Sequence, residues 1–287
     1  MKLDGVSAVV TGANQGLGLE IARTFVAEGA HVALCARDGL KLREAAGRLR
    51  RLARPGQKIH AATCDVSRPA EVADFVAAAT GALGQIHVLV NNAGVLGPTG
   101  PTEEVDFDEW KRAFEINLYG PLLLCRALVP HFKAHRCGRI INLSGGGATA
   151  PQPFCSAYAA SKAALVRLTE TLAEELRDFG IAVNALAPGA LPTRLLEAVL
   201  EAGAAGVGEA QYQKTLRQKA TAGDSLTHAA KLCVWLASIE SNGITGKLLS
   251  AQWDPWQDLA RRSEALAKSD IYTLRRIVPE DRGLKWN

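Results

Sequence analysis

The chain has 287 residues, 48% hydrophobic and 22% charged, enough to bury a substantial core, and no apolar run approaches the ~20 residues of a membrane-spanning helix. A net charge of +4, with no basic run interleaved with stacking aromatics, argues against nucleic acid as a partner. The six cysteines (Cys35, Cys64, Cys125, Cys137, Cys155, Cys233) have no CxxC spacing and the first strand leaves no room for a signal peptide, so reduced thiols in a cytoplasmic protein are expected.

The apolar run Val6 to Val10 reads as a first strand and residues 19–30 as a helix. Between them lies Thr11-Gly12-Ala13-Asn14-Gln15-Gly16-Leu17-Gly18. Strand, glycine turn and helix in this order set backbone N–H groups and the positive end of a helix against a pyrophosphate. The spacing is GxxxGxG, not GxGxxG, and taken alone it also fits an ordinary tight strand-to-helix connection. Further strands are expected at 31–36, 58–64, 87–90, 139–143, 181–187 and 247–250, and helices at 40–53, 69–81, 108–135, 158–179 and 226–238. Such alternation implies an α/β protein with a parallel sheet covered by helices on both faces. No linker or repeat divides the chain, so one domain is expected over 1–250, followed by a C-terminal extension over 251–287. His131 and His135 share a helix face, but no carboxylate or cysteine joins them at metal spacing, and a solvated face is the expected reading.

Tyr158 and Lys162 stand four residues apart at a helix start and should share one helical face. A free tyrosine has a pKa of about 10, and a nearby ammonium favours the phenolate, turning the phenol into a proton-transfer group. A Tyr and a Lys at this spacing also arise as a plain surface contact; the glycine turn upstream makes the catalytic reading the stronger one.

Together these residues resemble the short-chain dehydrogenase/reductase family over roughly residues 3–248. The motifs occur in family order: TGANQGLG, Asp65-Val66, Asn91-Asn92-Ala93-Gly94, Asn117, the Tyr158/Lys162 pair, and Pro188-Gly189 followed by Thr193. The resemblance implies a Rossmann-type doubly wound sheet and hydride transfer between a nicotinamide dinucleotide and a small-molecule carbonyl/alcohol pair. It implies that Gly12, Asn14, Gln15, Gly16, Leu17 and Gly18 cradle the pyrophosphate. Asp65 would accept from the adenine amino group, with Val66 main chain against the ring, and Asn92, Ala93 and Gly94 near the adenosine ribose. Pro188, Gly189, Leu191 and Thr193 would hold the nicotinamide carboxamide. Tyr158 would transfer the hydroxyl proton, Lys162 would lower its pKa and bind the nicotinamide ribose, and Asn117 would hold a relay water. The helices at 108–135 and 158–179 would pair across a two-fold axis, giving a homodimer or homotetramer.

Two features, the catalytic serine and the C-terminal tail, depart from the pattern. The usual catalytic serine, thirteen residues before the tyrosine, is replaced by Gly145 in Ser144-Gly145-Gly146-Gly147. Ser144 is one position early, and strand alternation would aim it to the opposite face unless the glycines let it turn inward. A serine restored at 145 is therefore expected to raise the rate, and loss of the hydroxyl keeps open a dinucleotide-binding sensor or scaffold without turnover. At the tip of the second strand Ala36-Arg37 replaces the acid that would accept ribose hydroxyls, which favours NADP, although Asp38 beside Arg37 and Gln15 in the turn leave NAD open. Residues 190–221, rich in Ala and Gly with Gln211-Tyr212, are the expected soft substrate lid. The extension carries Trp253, Trp256, a helical run at 256–268 and Arg275-Arg276 with Arg282 and Lys285; packing, an anion site and a subunit contact are all open for it.

Overall fold

Among the residues described by the computed structural model, 1–189, 191–221 and 225–285, seven strands form one parallel sheet. They are β1 (Ser7–Thr11), β2 (His31–Ala36), β3 (Ile59–Thr63), β4 (Val88–Asn91), β5 (Gly138–Leu143), β6 (Ile181–Ala187) and β7 (Leu248–Ser250), in the spatial order β3-β2-β1-β4-β5-β6-β7. The helices are α1 (Gly16–Ala27), α2 (Gly39–Leu52), α3 (Pro69–Leu83), α4 (Phe107–Phe114), α5 (Gly120–His135), α6 (Ser156–Glu175), α7 (Arg194–Val207), α8 (Glu209–Thr221), α9 (Ser225–Ala237) and the short α10 (Ser263–Ala267).

Alternate strand residues feed two cores. Val10, Val32 and Leu34 face Ile21 and Phe25 of α1, Leu42 and Leu49 of α2, and Trp235 of α9. Val9, Leu89 and Ile140 face Phe75 of α3, Leu124, Leu128 and Phe132 of α5, and Ala173 of α6. Every β1 residue is buried, which is why the central strands read as apolar runs rather than alternating ones. Burying one such Leu or Phe side chain stabilises the fold by about 1.5–3 kcal/mol. Strand order reverses between β1 and β4, so their carboxyl ends open a crevice at the switch point.

Two expected elements differ. The single helix over 108–135 is broken by a five-residue π turn, Glu115–Tyr119, between α4 and α5. Pro121 has no N–H to return to the Asn117 carbonyl four residues back, and the ring widens so that the Gly120 N–H bonds to the Glu115 carbonyl. The run at 256–268 is a 3₁₀ segment, Trp256–Arg262, followed by α10. The segment expected as a lid, for which no element was assigned, is helical in its described part: α7 and α8, with a non-helical Gly203 inside α7. Ala190, the first lid position, lies outside the described residues.

The extension folds back on its own chain. Trp256 is buried beside Trp235 and His228, and Leu248 of β7 donates its N–H to the Tyr272 carbonyl at 2.8 Å. Leu274 packs with Val166 of α6 and Ala148, while its N–H donates to Glu170 Oε1 at 2.6 Å. Arg275 pairs with Asp270 and Asp281, so this cation is taken up within the extension. The six cysteines are free, with only Cys137 exposed. His131 Nε2 accepts the Ile86 N–H, and His135 Nδ1 bonds the His131 carbonyl.

Candidate active site

The glycine turn is locked to the end of β4. Thr11 Oγ1 accepts the N–H groups of Asn92 and Ala93, each at 3.0 Å, and Asn92 Nδ2 donates to the carbonyls of Thr11 (2.9 Å) and Gly12 (3.2 Å). Gly12 has φ 63°, and a Cβ there would stand 2.9 Å from Ala93 Cα; a Cβ on Gly18 would overlap the Gly12 carbonyl oxygen and Asn92 Nδ2. Only glycine fits either position. Gln15, the N-cap of α1, makes no side-chain cap bond and no acid occupies the first turn, so this helix start remains open to an anion. Asn14 and Gln15 are half-buried beside it, Gly16 is exposed, and Leu17 anchors the helix in the core. A Cβ built on Gly16 would lie 3.6 Å from the Thr193 methyl, so the loop after β6, with Pro188, Gly189, Leu191 and Thr193, comes over the turn. The uncapped helix, the crowded glycines and the overlying loop together fit the pyrophosphate and nicotinamide halves of a dinucleotide.

Arg37 is exposed at the tip of β2, but its neighbour is occupied. Asp38 caps α2, accepting the N–H groups of Leu40 at 3.1 Å and Lys41 at 3.0 Å. At the end of β3, Asp65 Oδ1 accepts from the Ser67 hydroxyl (2.7 Å) and N–H (3.0 Å), and Oδ2 accepts from Arg112 Nη2 at 2.5 Å. Burial pushes the Asp65 carboxyl upward, but the Ser67 bonds and the Arg112 guanidinium outweigh it and leave the group below the usual carboxylate range. Val66 is buried against Gly120.

Tyr158 and Lys162 share the buried face of α6, with Lys162 Nζ 5.9 Å from the Tyr158 ring centre. Nζ donates to the Leu143 carbonyl at 2.7 Å, and a Cβ on Gly94 would lie 3.5 Å from it, so the pair sits over the ends of β4 and β5. The expected lowering of the tyrosine is reversed in this geometry. Burial, with a smaller contribution from Cys155, pushes Tyr158 up to about 12, and burial pulls Lys162 down to about 8. Without a counter-charge, both groups are driven toward their neutral forms.

Asn117 lies in the π turn and is fully buried. Its Oδ1 accepts the Val95 N–H at 2.9 Å, and its Nδ2 donates to the Val95 carbonyl (2.9 Å) and Ser161 Oγ (3.0 Å). The Asn117 side-chain amide thus braces the loop after β4 against α6. Ser144 is buried with a hydroxyl that has no hydrogen-bond partner among the described residues. A Cβ on Gly145 would overlap Tyr158 Oη and stand 3.1 Å from Cζ. Position 145 thus faces the tyrosine as its register implies, and a serine there would have to displace the Tyr158 hydroxyl. Beside Tyr158, Val199 and Val207 of α7 pack with Leu96 and Cys155 as an apolar wall.

Four contributors were missed: Thr11, Ser67, Arg112 and Ser161. Thr11 opens the glycine motif, and a hydroxyl at a strand end was the available signal. Arg112 lies 47 residues from Asp65, and no local pattern joins them.

A family profile described as short chain dehydrogenase matches residues 7–204. A short chain dehydrogenase of Monascus purpureus is 32% identical over 268 residues, covering 92% of this chain and 87% of that one. The D-beta-hydroxybutyrate dehydrogenase of Rhizobium meliloti (strain 1021) is 32% identical over 253 residues, covering 85% of this chain and 96% of its own length. NAD+-bound xylitol dehydrogenase superposes with a TM-score of 0.78 at 27% identity, covering 87% of this chain and 98% of that one. An actinorhodin polyketide ketoreductase variant with NADPH superposes at 0.77 with 31% identity, covering 85% and 95%.

Proposed function

The chain belongs to the short-chain dehydrogenase family of oxidoreductases, and on that premise we propose that it interconverts a small-molecule alcohol and carbonyl with a nicotinamide dinucleotide, NADP in preference to NAD, using Tyr158 as proton donor and acceptor. The observation that carries this reading is the buried Tyr158/Lys162 pair over the ends of β4 and β5, between the glycine turn and the loop after β6. When bound, the nicotinamide supplies or accepts the hydride.

The chain's own groups bind, orient and move the proton. Gly12, Asn14, Gln15, Gly16, Leu17 and Gly18 offer main-chain donors to the pyrophosphate, and Asp65 with the Val66 main chain takes the adenine. Asn92, Ala93 and Gly94 border the ribose, while Pro188, Gly189, Leu191 and Thr193 take the carboxamide. Arg37 takes the 2′-phosphate, a role favoured because it is exposed at the strand tip while Asp38 turns Oδ1 to the start of α2. With a pKa near 12, Tyr158 is protonated at neutral pH, the form that donates to a carbonyl oxygen. In the oxidative direction Tyr158 must first give up its own proton to solvent and accept the substrate's as the phenolate, and the Lys162 ammonium, predominantly charged below about pH 8, favours that phenolate. Ser144 has a spare hydroxyl to offer the substrate oxygen. Asn117 acts as a brace that holds Val95 and Ser161, and through them the frame around Lys162. The apolar wall of Leu96, Val199 and Val207 suits a substrate with an apolar body.

The test is NADPH oxidation with a chemically diverse carbonyl panel, beside Tyr158→Phe. The variant keeps the ring and is expected to bind cofactor as the wild type does while losing most turnover. Turnover near wild type would remove Tyr158 from the mechanism. Gly145 supports a second reading, a dinucleotide-binding sensor without turnover; binding of NADPH with no oxidation across the whole panel would favour it.

A further inference from the structure

Arg112, in the last turn of α4, holds three polar groups at once. Nη2 donates to Asp65 Oδ2 at 2.5 Å, and Nη1 donates to Ser67 Oγ at 2.5 Å and to Glu115 Oε2 at 2.9 Å. Ser67 in turn fills Oδ1 of Asp65 with two bonds, from its hydroxyl and its N–H. A carboxylate oxygen accepts about two hydrogen bonds, so Oδ1 is saturated and Oδ2 keeps one accepting direction. The Asp65 side chain retains 13% exposure beyond the end of β3, so the carboxylate is within reach of a ligand.

We propose that Arg112 is a positioning residue that makes this site select adenine among purine dinucleotides, by fixing Asp65 with a single vacant acceptor that an exocyclic amino group fills and a 6-keto oxygen cannot. The inference rests on the reading of Asp65 as the adenine contact. An amine donates into the vacancy, whereas a keto oxygen would set one acceptor against another and leave that direction unfilled. A lysine at 112 would keep the charge but not the fork that reaches Asp65, Ser67 and Glu115 together.

The test is equilibrium binding, independent of turnover. Nicotinamide fluorescence gives the Kd of the full chain for the tighter of NADPH and NADH and for its deamino (hypoxanthine) analogue. Wild type is expected to prefer the adenine form by about tenfold or more, the size of one hydrogen bond to a charged group. Arg112→Met should move the ratio toward unity, mostly by weakening the adenine form. Asp65→Asn, whose amide can donate to a keto oxygen, should erase or invert it. Should Arg112→Met fail to fold, Arg112→Lys and Ser67→Ala carry the test, each with a ratio between wild type and unity. A purely structural role would weaken both dinucleotides alike and leave the ratio intact, which overturns the proposal. A wild type that binds both forms equally overturns it while sparing the dehydrogenase reading, and a wild type that binds neither overturns both.

Discussion

At position 145 a missing side chain has been exchanged for the position of another. The Tyr158 hydroxyl occupies the space that a Cβ at 145 would need, and Tyr158 is buried, so Gly145→Ser has to push the ring aside. A displacement of about 1 Å at a reacting group costs on the order of 100-fold in rate, and Gly145→Ser should therefore lower kcat, not raise it. Ser144→Ala is its companion in the same assay: a fall of about 100-fold makes Ser144 the donor to the substrate oxygen, and unchanged turnover leaves the reaction to Tyr158, Lys162 and main-chain groups. Lys162 offers a separate measurement. Its folded pKa of about 8 lies below its ordinary 10.5, so between these values the folded state binds fewer protons than the unfolded one. Stability then rises with pH across that window, because the cost of burying the ammonium is present below about pH 8 and relieved above it. Urea denaturation of wild type and Lys162→Met from pH 7 to 10 should show wild type gaining on the variant, and a constant difference would mean that Lys162 titrates normally.

Strands and glycine turn were legible as elements because both are local. Apolar runs such as Val32 to Cys35 are buried on both faces, and Gly12 and Gly18 are demanded by backbone approach within one turn. The Tyr158/Lys162 pairing was legible for the same reason, one turn of helix. What escaped depends on partners distant in sequence. The Asn117 side chain finds Val95 and Ser161 across 22 and 44 residues, and Arg112 finds Asp65 only once the loop after β3 and the last turn of α4 meet. The π turn had a local cause in Pro121, which periodicity alone passes over. The tip of β2 carries the element-scale prediction. Asp38 turns Oδ1 to the start of α2, while Arg37 is exposed at the strand tip where it can read the ribose. Arg37→Asp should shift the preference from NADP toward NAD, since a carboxylate repels the 2′-phosphate and accepts the ribose hydroxyls. Titration with both cofactors checks this, and unchanged selectivity would remove Arg37 as the reader.

On the scale of the whole molecule, the extension and the two long helices divide the surface beyond the site. Leu274 and the Tyr272 carbonyl close the β7 edge and one flank of α6, a common route by which an edge strand is kept from pairing. The remaining surface of α5 and α6 is not closed in this way. Leu122 of α5 and Ala163, Ala164 and Leu168 of α6 stay half-buried outside the two main cores, and Phe107 is 66% exposed in a stack with Trp110 that continues to Phe114. Apolar surface on α4, α5 and α6 is what a self-complementary contact needs, because a two-fold axis brings the same patch to itself. We therefore expect a homodimer, or a tetramer built from it, at micromolar concentration by light scattering. Leu168→Arg should shift the mass toward a monomer, since its two copies bring unpaired charge to the contact, and far-ultraviolet circular dichroism should remain that of the folded chain. A wild-type monomer, or a variant whose mass is unchanged, would assign this face to solvent.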